Sequence, residues 1–271
     1  MNLSKRKKKI LLLIIFTSVL LSFQQKNYAK KHKTCNEISK IEHFTLYSKS
    51  LEEPRELTVY FPENFNLKNS YNVIFCTDGQ LINEQYKNKL DSLFSIKIVS
   101  PFVIIGVNSN ENTVPNSKLE YRNFDYIEDF LSEDPDINSR FEKHMNFFIN
   151  EVDEYVKENL NLKINKKYFY GVSNGAGFGV SMSKYYPELF AKYILYSVAW
   201  PNYENLQWNS EKYPFFIIRY GNEENEFLID GNEKLSEYLL SKNYRHIFES
   251  YNGGHKREIW INLFIKDIEI L

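Results

Sequence analysis

The feature that most restricts the fold of this chain is a serine between two glycines, in the pattern G-x-S-x-G formed by Gly171, Ser173 and Gly175. An apolar, strand-like run precedes the motif and a helix-like run follows it. A strand and a helix can meet in so tight a turn only if the residues flanking the serine are small. The N–H of Asn174 would lie at the start of that helix, where it can donate to a developing negative charge. The motif therefore predicts a nucleophilic serine at one edge of a sheet.

Strand-like and helix-like runs alternate along residues 35–271, and no internal repeat or linker divides this part of the chain, which is expected to form one domain. Helical periodicity extends over 139–160 and recurs over 232–241 and 258–271. Helices between strands supply the crossovers that parallel strands require. The pattern predicts an α/β fold in which helices cover both faces of a mostly parallel central sheet. The predicted strands are 41–48, 56–61, 71–77, 101–107, 167–170, 192–198, 214–220 and 245–251.

Residues 1–29 differ in composition from the rest of the chain. Five basic residues at positions 5–9 precede an apolar run from Ile10 to Phe23, and polar residues follow it. A positive start followed by about 14 apolar residues is typical of a secretory signal and is short for a membrane span. Cleavage is expected after Ala29, although Asn27 fits the −3 position poorly, so an uncleaved anchor is the alternative. The sequence predicts a secreted or periplasmic protein that contacts the membrane only through this segment.

Charge and cysteine content exclude several classes of protein. The formal net charge of the chain is −1. Residues 1–29 carry six basic residues and no acid, so residues 30–271 carry a net charge of −7. An acidic body argues against a nucleic-acid partner, which requires clustered positive charge. Cys35 and Cys76 are able to pair in an oxidising compartment, but Cys76 lies in a predicted core strand and is equally compatible with a buried thiol. There is no CxxC motif and no His-x-x-x-His pair, so a metal site is not expected.

A serine hydroxyl becomes a nucleophile when a histidine takes its proton and a carboxylate orients the imidazole. On this type of sheet the three follow one another in the order serine, acid, histidine. His255 fits the last position, because it follows two glycines directly after the last strand. The acid is expected in the loop after strand 214–220, where Glu224 is preferred and Glu226 and Asp230 are alternatives. The sequence thus predicts a Ser173–His255–Glu224 triad.

A second donor to the developing oxyanion is expected from the loop after strand 71–77. Gly79 lets the backbone approach a bound acyl group, so the N–H of Gly79 or of Gln80 is predicted to act with that of Asn174. The pair Asp78-Gly79 is also an ordinary turn sequence.

Residues 108–138 are the longest irregular segment of the chain. The segment follows a core strand and is predicted to reach the carboxyl edge of the sheet as a substrate-facing lid, with a solvated insertion as the alternative. Tyr121, Arg122 and Trp200 are candidate substrate-binding residues, since aromatic rings stack on rings or sugars and arginine meets acidic groups. Packing and pairing with a neighbouring carboxylate are the structural alternatives for the same residues.

Four stretches together resemble the putative-esterase family of α/β-hydrolases, which includes enterochelin esterases, feruloyl esterases and S-formylglutathione hydrolases. They are VIFCTDGQ at 73–80, YFYGVSNGAG at 168–177, FIIRYGNEE at 216–224 and YNGGHKREIW at 251–260. The resemblance implies an α/β-hydrolase fold, with Ser173 as nucleophile, His255 as base and Glu224 as orienting acid. It also implies a backbone oxyanion site at Gly79, Gln80 and Asn174.

The expected activity is hydrolysis of a small-molecule or glycan ester through an acyl-enzyme, without a cofactor. An acyltransferase or thioesterase using the same triad is the enzymatic alternative. A non-catalytic binding protein on a hydrolase scaffold is the alternative from another class, although such a protein has no need to keep serine, acid and histidine together in this order.

Overall fold

The computed structural model of the chain describes residues 38–97, 99–204, 206–209 and 213–271. Its strands form one eight-stranded sheet in the order β1-β2-β4-β3-β5-β6-β7-β8. The first two strands pair antiparallel with each other, and β2 pairs antiparallel with β4, whereas all the remaining pairs are parallel. The mostly parallel α/β-hydrolase architecture predicted from the sequence is thereby confirmed. The strands are β1 Lys40–Ser48, β2 Glu53–Phe61, β3 Ser70–Thr77, β4 Phe102–Val107, β5 Lys163–Val172, β6 Lys192–Tyr196, β7 Phe215–Gly221 and β8 His246–Tyr251.

The helices lie between these strands and on both faces of the sheet. They are α1 Glu84–Ser95, α2 Tyr121–Tyr126, α3 Pro135–Asn138, α4 Arg140–Asn146, α5 Val152–Glu158, α6 Asn174–Tyr185, α7 Glu226–Ser241 and α8 Arg257–Asp267. A π-helical turn, Phe147–Glu151, joins α4 to α5, so the helix predicted over 139–160 forms with one wider turn inside it. Short 3₁₀ turns are formed by Gly79–Leu81, before α1, and by Ile268–Ile270, after α8.

Two elements differ from the sequence prediction. Helix α1 was not predicted, because its apolar residues are sparse; it buries only Tyr86, Leu90 and Leu93, at helical spacing, and the Asn83 side chain caps its first turn. The segment predicted to form a lid, residues 108–138 and called the lid segment below, contains α2 and α3 and is therefore less irregular than its composition indicates.

The core consists of one apolar layer on each face of the sheet. The larger layer contains Phe148, Phe169 and Phe178, whose rings pack edge to face, and the smaller one lies beneath α1 and α8. Cys76 is buried in the smaller layer, and burial raises the pKa of its thiol. Cys35 lies outside the described residues, so the pairing of the two cysteines stays a prediction.

The structure does not describe residues 1–37, so the predicted signal segment and its cleavage site lie outside it. In the described part of the chain, no helix combines the length and the apolar character needed to span a bilayer. The described residues also contain no cluster of three or more His, Cys, Asp or Glu side chains that could hold a metal ion.

The parallel strands all point their carboxyl ends toward one edge of the sheet. Asp78 follows β3 directly and Ser173 follows β5 directly, while Glu224 and His255 lie in the loops after β7 and β8. Residues far apart in sequence are therefore gathered at the edge where ligands bind in sheets of this kind.

Candidate active site

Ser173 lies at the apex of the turn between β5 and α6. Its backbone has φ 54° and ψ −126°, a conformation that side chains rarely adopt and that the surrounding structure has to enforce. A Cβ on Gly171 would lie 2.5 Å from the carbonyl oxygen of Gly175, and a Cβ on Gly175 would collide with the hydroxyl of Thr77. Both glycines are thus required for the strand and helix to meet here, as the motif predicts.

Glu224 and His255 are joined by a hydrogen bond. His255 Nδ1 lies 3.1 Å from Glu224 Oε1, and the glutamate side chain is buried while the imidazole is partly exposed. Of the three acids considered from the sequence, Glu224 is the one that meets the histidine. Glu226 is exposed at the start of α7, and Asp230 is exposed on the same helix, with Oδ2 3.8 Å from Lys234 Nζ.

Three further side chains hold Glu224 in place. Oε1 also accepts hydrogen bonds from Ser197 Oγ at 2.5 Å and from the Tyr251 hydroxyl at 3.1 Å. The indole N–H of Trp260 donates to that hydroxyl at 2.9 Å, and its ring meets the His255 ring edge-on at 4.7 Å. This network fixes both the carboxylate and the imidazole.

The same network sets the protonation state of the glutamate. Burial alone would raise the pKa of Glu224, but the hydrogen bonds from His255, Ser197 and Tyr251 and the electrostatic attraction of the imidazole outweigh it and lower the pKa. Burial also raises the pKa of Tyr251 to about 12, so that its hydroxyl stays protonated and donates. Glu224 is consequently an anion near neutral pH.

Ser197 and Tyr251 were not singled out by sequence reasoning. Tyr251 stands in the stretch 251–260 that carries the family resemblance, which is a usable signal. Ser197 has only its position after β6 to indicate a role, and its φ of 50° becomes visible only in three dimensions.

Ser173 and His255 both line a cavity of about 420 Å³ at the carboxyl edge of the sheet. Within the described residues, no hydrogen bond joins the two side chains. Catalytic hydrogen bonds of this kind often tighten only when a substrate binds. The cavity is lined by Asp78, Gln80, Leu81, Glu111, Glu120, Arg122, Val172, Ser173, His255, Arg257 and Trp260.

The predicted oxyanion donors lie in the 3₁₀ turn after β3 and at the first residue of α6. The backbone N–H groups of Gly79, Gln80 and Asn174 form no hydrogen bond with any acceptor in the described residues. A Cβ on Gly79 would collide with the backbone of Gly106, so only glycine fits where this loop crosses β4. The Gln80 side chain is held by Ser109, to which its Nε2 donates at 2.5 Å and from whose N–H its Oε1 accepts at 3.1 Å.

The three predicted substrate-binding residues occupy different places. Arg122 lines the cavity, and its guanidinium is paired with Asp78. Tyr121 does not line it and stacks instead under the guanidinium of Arg140 at 4.4 Å. Trp200 lies in a neighbouring groove, half exposed, with its ring 4.7 Å from that of Phe227.

A nucleophile-elbow serine on a mostly parallel sheet covered by helices defines the α/β-hydrolase fold, and the family that this chain matches is one of carboxylic ester hydrolases. Residues 48–226 match the family model described as "Putative esterase", and the chain belongs to this family.

Solved structures share the fold along most of the chain. A ferulic acid esterase superposes with a TM-score of 0.69 at 19% identity, covering 87% of this chain and 98% of its own. The siderophore hydrolase EstA from Aspergillus nidulans superposes with a TM-score of 0.66 at 15% identity, covering 85% of this chain and 94% of its own. The S-formylglutathione hydrolase FrmB from Staphylococcus aureus superposes with a TM-score of 0.58 at 16% identity, covering 85% of this chain and 97% of its own. A search of curated protein sequences found no significant match.

Proposed function

We propose that this ester hydrolase works through a Ser173–His255–Glu224 triad and an acyl-enzyme intermediate. The observation that carries the proposal is the hydrogen bond between His255 Nδ1 and Glu224 Oε1, which leaves Nε2 of the imidazole for the cavity shared with Ser173. A carboxylate on Nδ1 fixes the tautomer in which Nε2 can accept a proton, as a general base must.

In the proposed reaction, His255 removes the proton of Ser173 as the serine oxygen attacks the ester carbonyl. The N–H groups of Asn174 and of Gly79 or Gln80 donate to the oxyanion that forms, and losing one such donor typically costs about 3 kcal/mol. His255 then protonates the leaving alcohol. Water hydrolyses the acyl-enzyme by the same steps in reverse order, while Glu224 stabilises the imidazolium each time.

The substrate is proposed to be a small organic ester. The solved relatives include proteins titled as a ferulic acid esterase and as a siderophore hydrolase, so phenolic sugar esters and siderophore esters are the first compounds to screen. We further propose that the protein is exported, which is supported by the basic and apolar residues of positions 5–23.

The proposal is tested with 4-nitrophenyl acetate and a fluorophosphonate probe. We expect the wild-type protein to turn over the ester and to be labelled on Ser173. Ser173→Ala should lose labelling and nearly all turnover, because no other group replaces the nucleophile. Ser92→Ala, which removes an exposed serine of α1, is the matched control and should change neither.

Full turnover by folded Ser173→Ala protein would refute the triad. An intact wild-type protein that neither hydrolyses esters nor reacts with the probe would favour a binding role on the hydrolase scaffold. Acyl transfer to an added alcohol or thiol in preference to water would favour the acyltransferase alternative.

A further inference from the structure

Asp78 is the residue immediately before Gly79 and Gln80, one of which is the proposed oxyanion donor of the loop after β3. Its backbone is left-handed, with φ 53° and ψ 46°, and the residue is 3% exposed. Its N–H donates to the hydroxyl of Tyr126, on α2 of the lid segment, at 3.2 Å. A residue other than glycine keeps this conformation only when its surroundings hold it there. The position of Gly79 and Gln80 therefore depends on contacts made by Asp78.

The Asp78 carboxylate forms an ion pair with the guanidinium of Arg122. Arg122 Nε lies 2.7 Å from Oδ1 and Nη2 lies 2.8 Å from Oδ2. This bidentate pairing fixes the orientation of the carboxylate as well as its distance from the guanidinium. The guanidinium also lies over the Tyr126 ring, 5.0 Å from its centroid. Arg122 is thus committed to protein groups, although it lines the cavity.

On its other side, Asp78 lies against the turn that carries the serine. A Cβ on Gly175 would lie 3.0 Å from Asp78 Oδ2, so the carboxylate is at van der Waals distance from the first turn of α6. The proposed donor Asn174 is the residue before Gly175. An unpaired carboxylate here would repel an oxyanion forming at that N–H, because charges in a poorly solvated site interact strongly.

We propose that Arg122 is a positioning residue of this hydrolase, which neutralises Asp78 and holds the loop of Gly79 and Gln80 in place for oxyanion binding. It is not a substrate ligand. The inference rests on the proposed function and adds a role for the lid segment, which completes the oxyanion site through one ion pair.

The test is a double-mutant cycle on Asp78 and Arg122 with 4-nitrophenyl acetate as substrate. Arg122→Met leaves the carboxylate unpaired, so kcat should fall about 10- to 100-fold while KM stays within about threefold. Adding Asp78→Asn to Arg122→Met removes that charge and should recover at least about threefold of the lost kcat. Arg122→Lys keeps the positive charge but loses the bidentate pairing of the guanidinium, so its kcat should lie between those of wild type and Arg122→Met.

Lys184→Met is the matched control. Lys184 Nζ, on α6, lies 3.0 Å from Glu128 Oε1, so this pair, like Arg122–Asp78, ties the lid segment to the rest of the fold, but neither residue lines the cavity of Ser173. We expect kcat of Lys184→Met within about twofold of wild type, because only an ion pair beside the donors should affect the oxyanion.

Hydrogen exchange of the amides of Asp78 and Leu81, which donate to the Tyr126 hydroxyl and to the Asp78 carbonyl, gives a readout that needs no turnover, and it separates this inference from the proposed function. Exchange should accelerate at least about tenfold in Arg122→Met and stay unchanged in Lys184→Met, because only the first loses the restraint on the loop. A raised KM with unchanged kcat in Arg122→Met would overturn the inference in favour of substrate binding. Unchanged exchange, or a double variant no better than Arg122→Met, would also overturn it.

Discussion

Glu224 illustrates how far single residues can be assigned from sequence. Chain order and the loop after β7 narrow the acid to three candidates, because any of them could reach a histidine from that loop. The choice depends on Ser197, which follows β6, and Tyr251, which ends β8, because both donate to the glutamate oxygen that also bonds His255. Such contacts join residues 27 positions apart in both cases, and no local pattern encodes them.

The assignment of the acid predicts a contrast between two neighbouring glutamates. Glu224→Gln should lower kcat for 4-nitrophenyl acetate by about 10²- to 10⁴-fold, because a neutral amide neither stabilises the imidazolium nor fixes the tautomer. Glu226→Gln, at an exposed position on α7, should stay within about twofold of wild type. Equal effects of the two substitutions would remove Glu224 from the triad.

The lowered pKa of Glu224 also predicts how stability depends on pH. A carboxyl whose pKa is lower in the folded state contributes stability above its unfolded pKa, about 4.3, and loses it as pH falls through the folded value. The difference in unfolding free energy between wild type and Glu224→Gln should therefore shrink as pH decreases below about 4.3. Urea unfolding at several pH values measures it, and a difference that grows toward acid pH would contradict the assignment.

At the scale of elements, the sequence identifies the strands better than the helices. A continuous apolar run such as that of β4 favours burial on both faces, so its place inside the sheet can be predicted. Helix α1 was missed because packing against α8 stabilises it, and that contact joins residues far apart in the chain. The turn at Ser173 was predictable because its demand for glycine is local.

The turn provides a prediction about two helical glycines. Gly175→Ala should lower the free energy of unfolding by about 2 kcal/mol or more and reduce activity, because its Cβ would collide with Thr77 and press on Asp78. Gly231→Ala, in α7, meets nothing closer than Pro201 Cδ at 3.9 Å. It should be neutral or stabilise by up to about 1 kcal/mol, since alanine favours a helix. Thermal and urea unfolding of both variants test this, and a tolerated Gly175→Ala would contradict the described packing.

For the molecule as a whole, strand alternation and family resemblance were sufficient to predict the architecture, and residues 48–226 confirm the family. The roles of the surface residues were not readable in the same way. Trp200 and Tyr121 have aromatic side chains of the kind that contact ligands, yet they lie outside the cavity of Ser173. Their positions depend on the paths of the loops, which the sequence does not reveal. Arg122 does reach the cavity, but its guanidinium is already paired with Asp78, the residue that follows β3.

The export proposal is tested on the whole chain. We expect cells expressing it to deliver the protein outside the cytoplasm, shortened by cleavage after Ala29, as intact-protein mass and N-terminal sequencing would report. Replacing the basic residues at positions 5–9 with glutamine should leave more uncleaved protein in the cytoplasm. An uncleaved protein in the membrane fraction would instead support the anchor, and an uncleaved soluble protein in the cytoplasm would contradict export.

The order in which the site is assembled along the chain has a consequence for biosynthesis. Ser173 emerges from the ribosome well before β8 and the loop that carries His255. A nascent polypeptide with a finished serine turn therefore still lacks its proposed proton acceptor, so it has no means of attacking cellular esters during translation. Hydrolytic competence would begin only when the loop after β8 docks beside the sheet, which ties the onset of activity to completion of the fold.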